Sequence, residues 1–265
     1  MKIQHDFHIH TNLSVCAKPE ATFEMYKGVA KELGLKKIGF ADHLWDDTYE
    51  QVCGGFYRKQ NVEHVLKLKE ELCDFDDVKV YMGCEAEYDP KIHGVAISEE
   101  NAEKFDFIIV PNSHTHMIMP KDYYEPREKH KDFMIEAYMD VLNCNVSKYV
   151  KAMAHPFHAV CCPYGYNYLL EKITDDEYKR VFDSTAQKGI AVEINVSGLR
   201  WKSAEYIANE APAMRMYRIA KECGCKFVFG SDSHNVGDHN KYIECIDTVT
   251  ELLKITEEDI APFAR

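Results

Sequence analysis

Seven short apolar runs recur along the chain, at 2–8, 37–41, 78–85, 107–110, 150–154, 190–194 and 227–230, and they predict strands. Between them apolar residues fall at helical spacing. The clearest case is Phe133, Met134, Ala137, Tyr138, Val141 and Leu142, where pairs repeat every four residues and mark one helix face. Val62, Val65, Leu66 and Leu72 mark another, and 23–33, 175–188, 213–223 and 242–253 read the same way. Near-continuous apolar strands alternating with helices predict an α/β fold, with a parallel sheet covered on its outer face. Seven or eight such units can close into a barrel, and an open doubly wound sheet is the competitor. No Pro-, Ser- or Gly-rich linker and no fixed-period repeat divides the chain, so one domain over 1–265 is expected.

Composition narrows the function classes. A hydrophobic share of 46% in 265 residues is ample for a buried core, which excludes a disordered or fibrous chain. The net charge of −12, from 32 basic and 44 acidic residues, argues against broad contact with a nucleic-acid backbone. No uncharged apolar run approaches the roughly 20 residues of a membrane span. The start Met1-Lys2-Ile3-Gln4-His5-Asp6 lacks the apolar centre of a signal peptide. Ten scattered cysteines without an export signal read as free thiols in a reducing cytoplasm. Cys161-Cys162 and Cys223-Gly224-Cys225 fit a zinc knuckle poorly and are expected to be buried thiols.

The thirteen histidines change the picture, because they cluster with carboxylates just after the predicted strands. His8 and His10, Asp42 and His43, Glu85, His114 and His116, His155, and Asp232 and His234 all occupy such positions. In a parallel barrel the strand ends of one sense meet at one rim, so groups distant in sequence can form one site. His8-Ile9-His10 places two imidazoles on the same side of an extended segment, within reach of one cation. Glu85 ends an apolar strand with no Lys or Arg adjacent, and a buried carboxylate there needs compensation that a metal would give. Its two oxygens make it the natural shared ligand of a binuclear site, with Glu87 competing for the role. Ala154-His155-Pro156 and Gly230-Ser231-Asp232-Ser233-His234 break from strand into loop where functional groups usually sit.

The series His8-x-His10, Asp42-His43, Glu85, a later His, His155-Pro156 and Asp232-x-His234 resembles the polymerase and histidinol phosphatase (PHP) family over nearly the whole chain. The resemblance implies a distorted (β/α)7 barrel of the metallo-dependent hydrolase type. It also implies two to three divalent cations, zinc, manganese or iron, at the carboxyl ends of the strands. Carried over by motif, one cation takes His8, His10, Glu85 and Asp232, a second shares Glu85 with His114 and His155, and a third takes His43 and His234. The third position commonly has a further His, and Cys16 stands at the matching place, a departure from the family pattern. Asn112-Ser113-His114-Thr115-His116 offers two registers for one ligand; His114 is preferred, which leaves His116 and His158 to face the substrate.

Cations held by imidazole and carboxylate activate water and polarise an anionic substrate oxygen, so the expected reaction is metal-assisted hydrolysis. Glu85 and Asp232 are then catalytic through the metals, and His116, His158 and Asp232 are alternatives for delivering a proton to the leaving alcohol. Arg200 closes the segment after the sixth strand with a guanidinium able to grip two phosphate oxygens. That segment is similar to the one in histidinol phosphatases that carries a substrate-binding arginine. The expected partner is therefore a small phosphorylated metabolite, with L-histidinol phosphate favoured over nucleic acid or membrane. A phosphodiesterase or nuclease is the alternative enzyme, and a non-catalytic metal-binding domain the alternative outside catalysis. Closed structural zinc sites are usually richer in cysteine than this cluster.

Overall fold

The computed structural model describes residues 2–53, 55–159, 161–199, 201–209 and 211–265. Among the described residues nine strands are present: β1 (His5–Ile9), β2 (Lys37–Leu44), β3 (Lys79–Ala86), β4 (Tyr88–Asp89), β5 (Gly94–Val95), β6 (Phe107–Pro111), β7 (Val150–Ala154), β8 (Ala191–Asn195) and β9 (Phe227–Gly230). Seven of them form one parallel sheet in the order β1-β2-β3-β6-β7-β8-β9, and these are the seven runs predicted from the apolar pattern. The antiparallel pair β4-β5 is two residues a strand, too short to show in periodicity.

Strand bounds differ informatively at β2. The apolar run stops at Ala41, yet pairing continues through Asp42↔Cys84, His43↔Glu85 and Leu44↔Ala86. Polar side chains can occupy a buried strand end when partners await them, and this register sets His43 beside Glu85.

The sheet curls until its first and last strands meet. Asp232 N donates to His8 O at 2.8 Å and His10 N to Ser233 O at 3.0 Å, closing the seam at the carboxyl ends of β1 and β9. Asp6 staples the same seam: its Oδ1 accepts from Ser231 N at 3.0 Å and from His8 N at 3.1 Å, and its Oδ2 lies 3.1 Å from His239 Nε2. The architecture is therefore a distorted seven-stranded β/α barrel, and the open doubly wound alternative is set aside. Phe7 and Phe107 pack edge to face inside it, their ring centroids 5.2 Å apart. A Cβ at Gly39 would stand 2.7 Å from both rings, so a glycine there makes room for them.

Helices cover the outside. Phe23–Leu33 starts on a Thr22 cap and ends at Gly34, and Asp175–Lys188 carries a Thr174/Glu177 capping box and ends at Gly189. Lys129–Asn143 buries the predicted face of Phe133, Met134, Ala137, Tyr138, Val141 and Leu142. Pro212–Glu222 and His239–Leu252 lie within three residues of their predicted bounds. The pattern at 62–72 is α-helical only over Val62–Leu66 and tightens into a 3-10 helix over Lys67–Glu70. Short helices at Glu99–Ala102, Thr115–Ile118, Tyr168–Lys172 and Ala204–Asn209 carry too few turns for periodicity to reveal them.

Cys16, Cys53, Cys73, Cys84, Cys144, Cys161, Cys162, Cys223 and Cys225 are free thiols. Cys162 and Cys225 are buried as expected, but Cys161 is exposed and Cys223 half-buried, because each lies in a loop or helix end facing outward. Among the described residues no helix is long and apolar enough to cross a membrane.

Candidate metal centre

Closure of the barrel brings the strand-end groups to one rim. Glu85, 1% exposed at the end of β3, lies within 4 Å of ring nitrogens from five histidines: His43 Nδ1 at 2.6 Å, His155 Nε2 at 2.9 Å, His10 Nε2 at 3.6 Å, His8 Nε2 at 3.7 Å and His114 Nε2 at 3.9 Å. No Lys or Arg is among its ion-pair partners in the described residues. Asp232 Oδ1 joins from the far side of the seam, 3.2 Å from His10 Nε2 and 3.5 Å from His8 Nε2.

The orientation of the rings is fixed from behind. His8 Nδ1 donates to Glu193 Oε1 at 2.7 Å. His10 Nδ1 donates to Ser14 Oγ at 3.0 Å, and the Ser14 hydroxyl in turn donates to Asp42 Oδ1 at 2.6 Å. His114 Nδ1 donates to Glu87 Oε2 at 2.7 Å, an oxygen that also accepts from Tyr57 OH at 2.6 Å. Ser113 Oγ lies 2.6 Å from His155 Nδ1. With their Nδ1 protons committed outward, His8 and His10 turn their Nε2 lone pairs toward each other at 3.0 Å. Two such lone pairs repel unless a proton or a cation stands between them. Outer partners that hold a ring in one tautomer with its other nitrogen inward are the usual support of metal-ligating histidine.

Electrostatics point the same way. Burial opposes charge on Glu85, yet His43, His8 and His114 outweigh it and hold the carboxyl well below its usual range. Asp232 is lowered likewise, burial being outweighed by His8, His10 and His234. Burial also opposes charge on His8, but Glu193, Glu85 and Asp232 raise it well above 6.5. His10 goes the other way, lowered by burial and by the neighbouring His234 and His43 rings. Two buried atoms, His43 Nδ1 and Glu85 Oε2, lie 2.6 Å apart without satisfying each other in hydrogen-bond geometry. Ionised carboxylates facing a cluster of imidazole nitrogens, with orphaned atoms between them, fit a divalent cation.

The backbone bends to deliver two of these groups. His155 and Asp232 have φ of 26° and 55°, sparsely populated for residues with a Cβ. The surroundings impose these bends: Glu193 Oε2 accepts from His155 N, Asn112 Oδ1 accepts from Phe157 N at 3.0 Å, and Asp232 N is tied to His8 O.

Sequence-predicted groups fall into four donor sets whose ligand atoms lie within 4.8 Å of one another: His8, His10 and Glu85; His8, His155 and Asp232; Glu85, His114 and His155; and His10, His43 and His234. Cys16, exposed in the loop after His10, is not part of these sets; desolvation raises its thiol, but the nearby His234 and His43 outweigh it and bring the pKa from 9.0 down to about 6. His116 lies outside these sets, exposed on the turn after His114 with its ring 6.0 Å away. His158 is buried behind His155 with neither ring nitrogen hydrogen-bonded, and burial together with His155 lowers it to about 3. Arg200 lies outside the described residues. Asp42 shares the strand-end pattern but turns away from the centre, accepting from Thr11 N, Thr11 Oγ1 and Ser14 Oγ.

Glu193, Ser14 and Ser113 were not among the candidate groups. Glu193 could have been found by the argument that singled out Glu85, since it too is a carboxylate inside an apolar strand. Glu87 competed with Glu85 for the bridging role; the structure turns it behind His114 instead.

Beside the rim, a cavity of ≈ 590 Å³ is lined by Tyr164, Tyr166, Tyr168, Tyr206, Asn167, Glu171, Lys202 and the glycines at 165 and 198. Tyr166 connects it to the centre, its ring centroid 5.4 Å from that of His158.

Comparison with known proteins agrees with this geometry. The chain is 25% identical over 252 residues to proteins described as probable phosphatases from Shewanella piezotolerans and Shewanella frigidimarina, covering 94% of this chain and 86% of each relative. Its fold matches the histidinol phosphate phosphatase of Lactococcus lactis, solved with zinc, L-histidinol and phosphate, at a TM-score of 0.59 and 16% identity over 97% of this chain and 95% of that one. It also matches a putative histidinol phosphatase of Listeria monocytogenes at a TM-score of 0.60 and 15% identity, covering 88% and 96% respectively. The PHP domain profile matches residues 6–197, which contain the His8–His10, His43, Glu85, His114 and His155 groups, and the barrel seam adds Asp232 and His234 from beyond its end: the chain belongs to the PHP domain family.

Proposed function

We propose that this protein is a metal-dependent phosphoesterase that hydrolyses a small phosphate monoester, with L-histidinol phosphate the favoured substrate. The observation that carries the reading is the facing pair of His8 and His10 Nε2 atoms beside Glu85 and Asp232. His8, His10, Glu85 and Asp232 would hold one cation, and Glu85, His114 and His155 a second. Such cations supply Lewis acidity toward a phosphoryl oxygen and an activated water.

The chain's own groups do the rest. Glu193, Ser14, Ser113 and Glu87 keep the rings aimed, so that little reorganisation is needed when charge grows on the phosphoryl group. His116, exposed on the turn after His114, is the group that would hand a proton to the leaving alcohol in this reading. His158, neutral and enclosed, is better suited to lining the substrate cavity through Tyr166. Arg200 retains its sequence-based assignment as phosphate clamp. The whole 1–265 chain acts as one catalytic domain in this reading, and its many free thiols suit a reducing cytoplasm.

The test is phosphate release from L-histidinol phosphate, nucleoside monophosphates, p-nitrophenyl phosphate and short single-stranded DNA, before and after exhaustive chelation. Turnover of monoesters that vanishes on chelation and returns with zinc, manganese or iron is expected. Full activity after chelation, or cleavage of DNA alone, would overturn it.

A further inference from the structure

Resting on the phosphoesterase reading above, we infer that the tyrosine-walled cavity beside the rim holds the leaving alcohol, and that it selects alcohols carrying both an aromatic ring and an amine. The segments that follow β7 and β8 build this cavity, so it lies at the same carboxyl end of the barrel as the metal centre. Asn167 Nδ2 donates to Tyr206 OH at 2.8 Å and ties one segment to the other. A Cβ at Gly198 would overlap the Tyr166 ring, so the glycine lets the two segments close up. The volume of ≈ 590 Å³ falls within the range of about 300–1,000 Å³ usual for small-molecule sites. Toward the centre the wall runs through Tyr166 to His158, three residues beyond His155. His158 is 1% exposed, and neither of its ring nitrogens has a hydrogen-bond partner among the described residues. Buried polar atoms are nearly always satisfied, so a guest is needed to complete this wall.

What the guest carries follows from the lining. Tyr164, Tyr166, Tyr168 and Tyr206 offer ring surface against which a flat ring packs. Their faces also draw cations: Arg127 lies over Tyr164 at 5.7 Å and over Tyr168 at 5.6 Å, Lys172 over Tyr168 at 5.8 Å, and Lys202 over Tyr206 at 5.4 Å. Each of those cations thus has a partner. The carboxylate of Glu171, in the same lining, has neither an ion pair nor a hydrogen bond among the described residues. An ammonium on the guest supplies the missing counter-charge. A polyol would leave the rings uncovered, and an acidic alcohol would meet Glu171 with like charge.

The test crosses the two features. Metal-loaded full-length protein is assayed on the phosphate monoesters of L-phenylalaninol, with ring and amine, of 2-phenylethanol, with the ring alone, of ethanolamine, with the amine alone, and of glycerol, with neither. The highest kcat/KM is expected for L-phenylalaninol phosphate, with most of the advantage in KM. Glu171→Gln should shrink the gain from the amine by about 2- to 5-fold, and Tyr206→Leu the gain from the ring by about 2- to 10-fold. Equal kcat/KM for all four esters, or a gain unchanged in its variant, would overturn the inference and leave the phosphoesterase reading standing. Calorimetry with L-phenylalaninol, the product alcohol, reads the cavity without turnover. If no ester is hydrolysed yet L-phenylalaninol binds and Glu171→Gln weakens it, the proposed reaction falls and the subsite stands; without that binding both fall.

Discussion

His8 and Glu193, 185 residues apart, meet through a buried Nδ1 to Oε1 hydrogen bond of 2.7 Å, while the second oxygen of the same carboxylate accepts from the backbone of His155. One side chain on β8 thus aims imidazoles delivered by β1 and by the turn after β7. Outer partners of this kind are worth about 10–100-fold in metal affinity. Glu193→Gln keeps the shape but weakens the acceptor, so titration against a competing chelator should show binding loosened by about that range. Unchanged affinity would mean that His8 is aimed by other contacts.

Gly230 makes that meeting possible. A Cβ on Gly230 would overlap Glu193 Oε1 and stand 2.6 Å from His8 Cβ. Gly230→Ala must therefore push Glu193 away or spread the β1/β9 seam, at a typical overpacking cost of about 1–3 kcal/mol. Denaturant unfolding should show that loss, and metal affinity should fall with it. A variant of wild-type stability and affinity would show that the seam can yield without cost.

Glu85→Ala removes the carboxylate that five imidazoles share. Turnover should drop to background and bound metal measured by elemental analysis should fall. Glu85→Gln should retain the fold yet bind metal weakly, since an amide oxygen carries no charge to offset the cations. Full activity and metal content in the alanine variant would exclude Glu85 as the shared ligand.

The barrel and the donor set were legible because both leave a pattern in one dimension. Seven apolar runs carried the strands, and His, Asp and Glu immediately after them carried the rim. What aims those donors was not legible, since Ser14, Ser113 and Glu193 act through contacts across strands that no local spacing encodes. Asp42 shows the converse: its position matches the ligands around it, but Thr11 and Ser14 supply enough hydrogen bonds to turn its carboxylate away from the centre. The choice between His114 and His116 also needed coordinates. Two residues at i and i+2 point to opposite sides once Thr115 begins a helical turn, so one ring enters the rim and the other meets solvent.

His116 can be separated from the ligands by its dependence on the leaving group. A general acid matters when the departing alkoxide is poor and hardly at all when it is p-nitrophenolate. His116→Asn should lower kcat on an alkyl phosphate by about 10²-fold or more, with p-nitrophenyl phosphate hydrolysis and metal content near wild type. Equal losses on both substrates would assign His116 to binding or to the fold instead.

Acid sensitivity should come partly from the closed end of the barrel. His5 is buried between Phe7 and Phe229, accepts from Phe229 N through Nε2 at 3.1 Å, and is lowered from 6.5 to about 4 by burial, which outweighs the raising effect of Asp6. The folded chain thus holds His5 neutral while the unfolded chain protonates it near 6.5. The stability this confers is complete above pH 6.5, declines as pH falls, and is exhausted once pH passes below about 4. The loss attributable to this ring is about 3 kcal/mol. Urea unfolding of the metal-free protein between pH 7 and 4 should show that decline, and His5→Gln, which keeps an acceptor for Phe229 N, should flatten it. A His5→Gln profile as steep as wild type would assign the acid sensitivity to other groups.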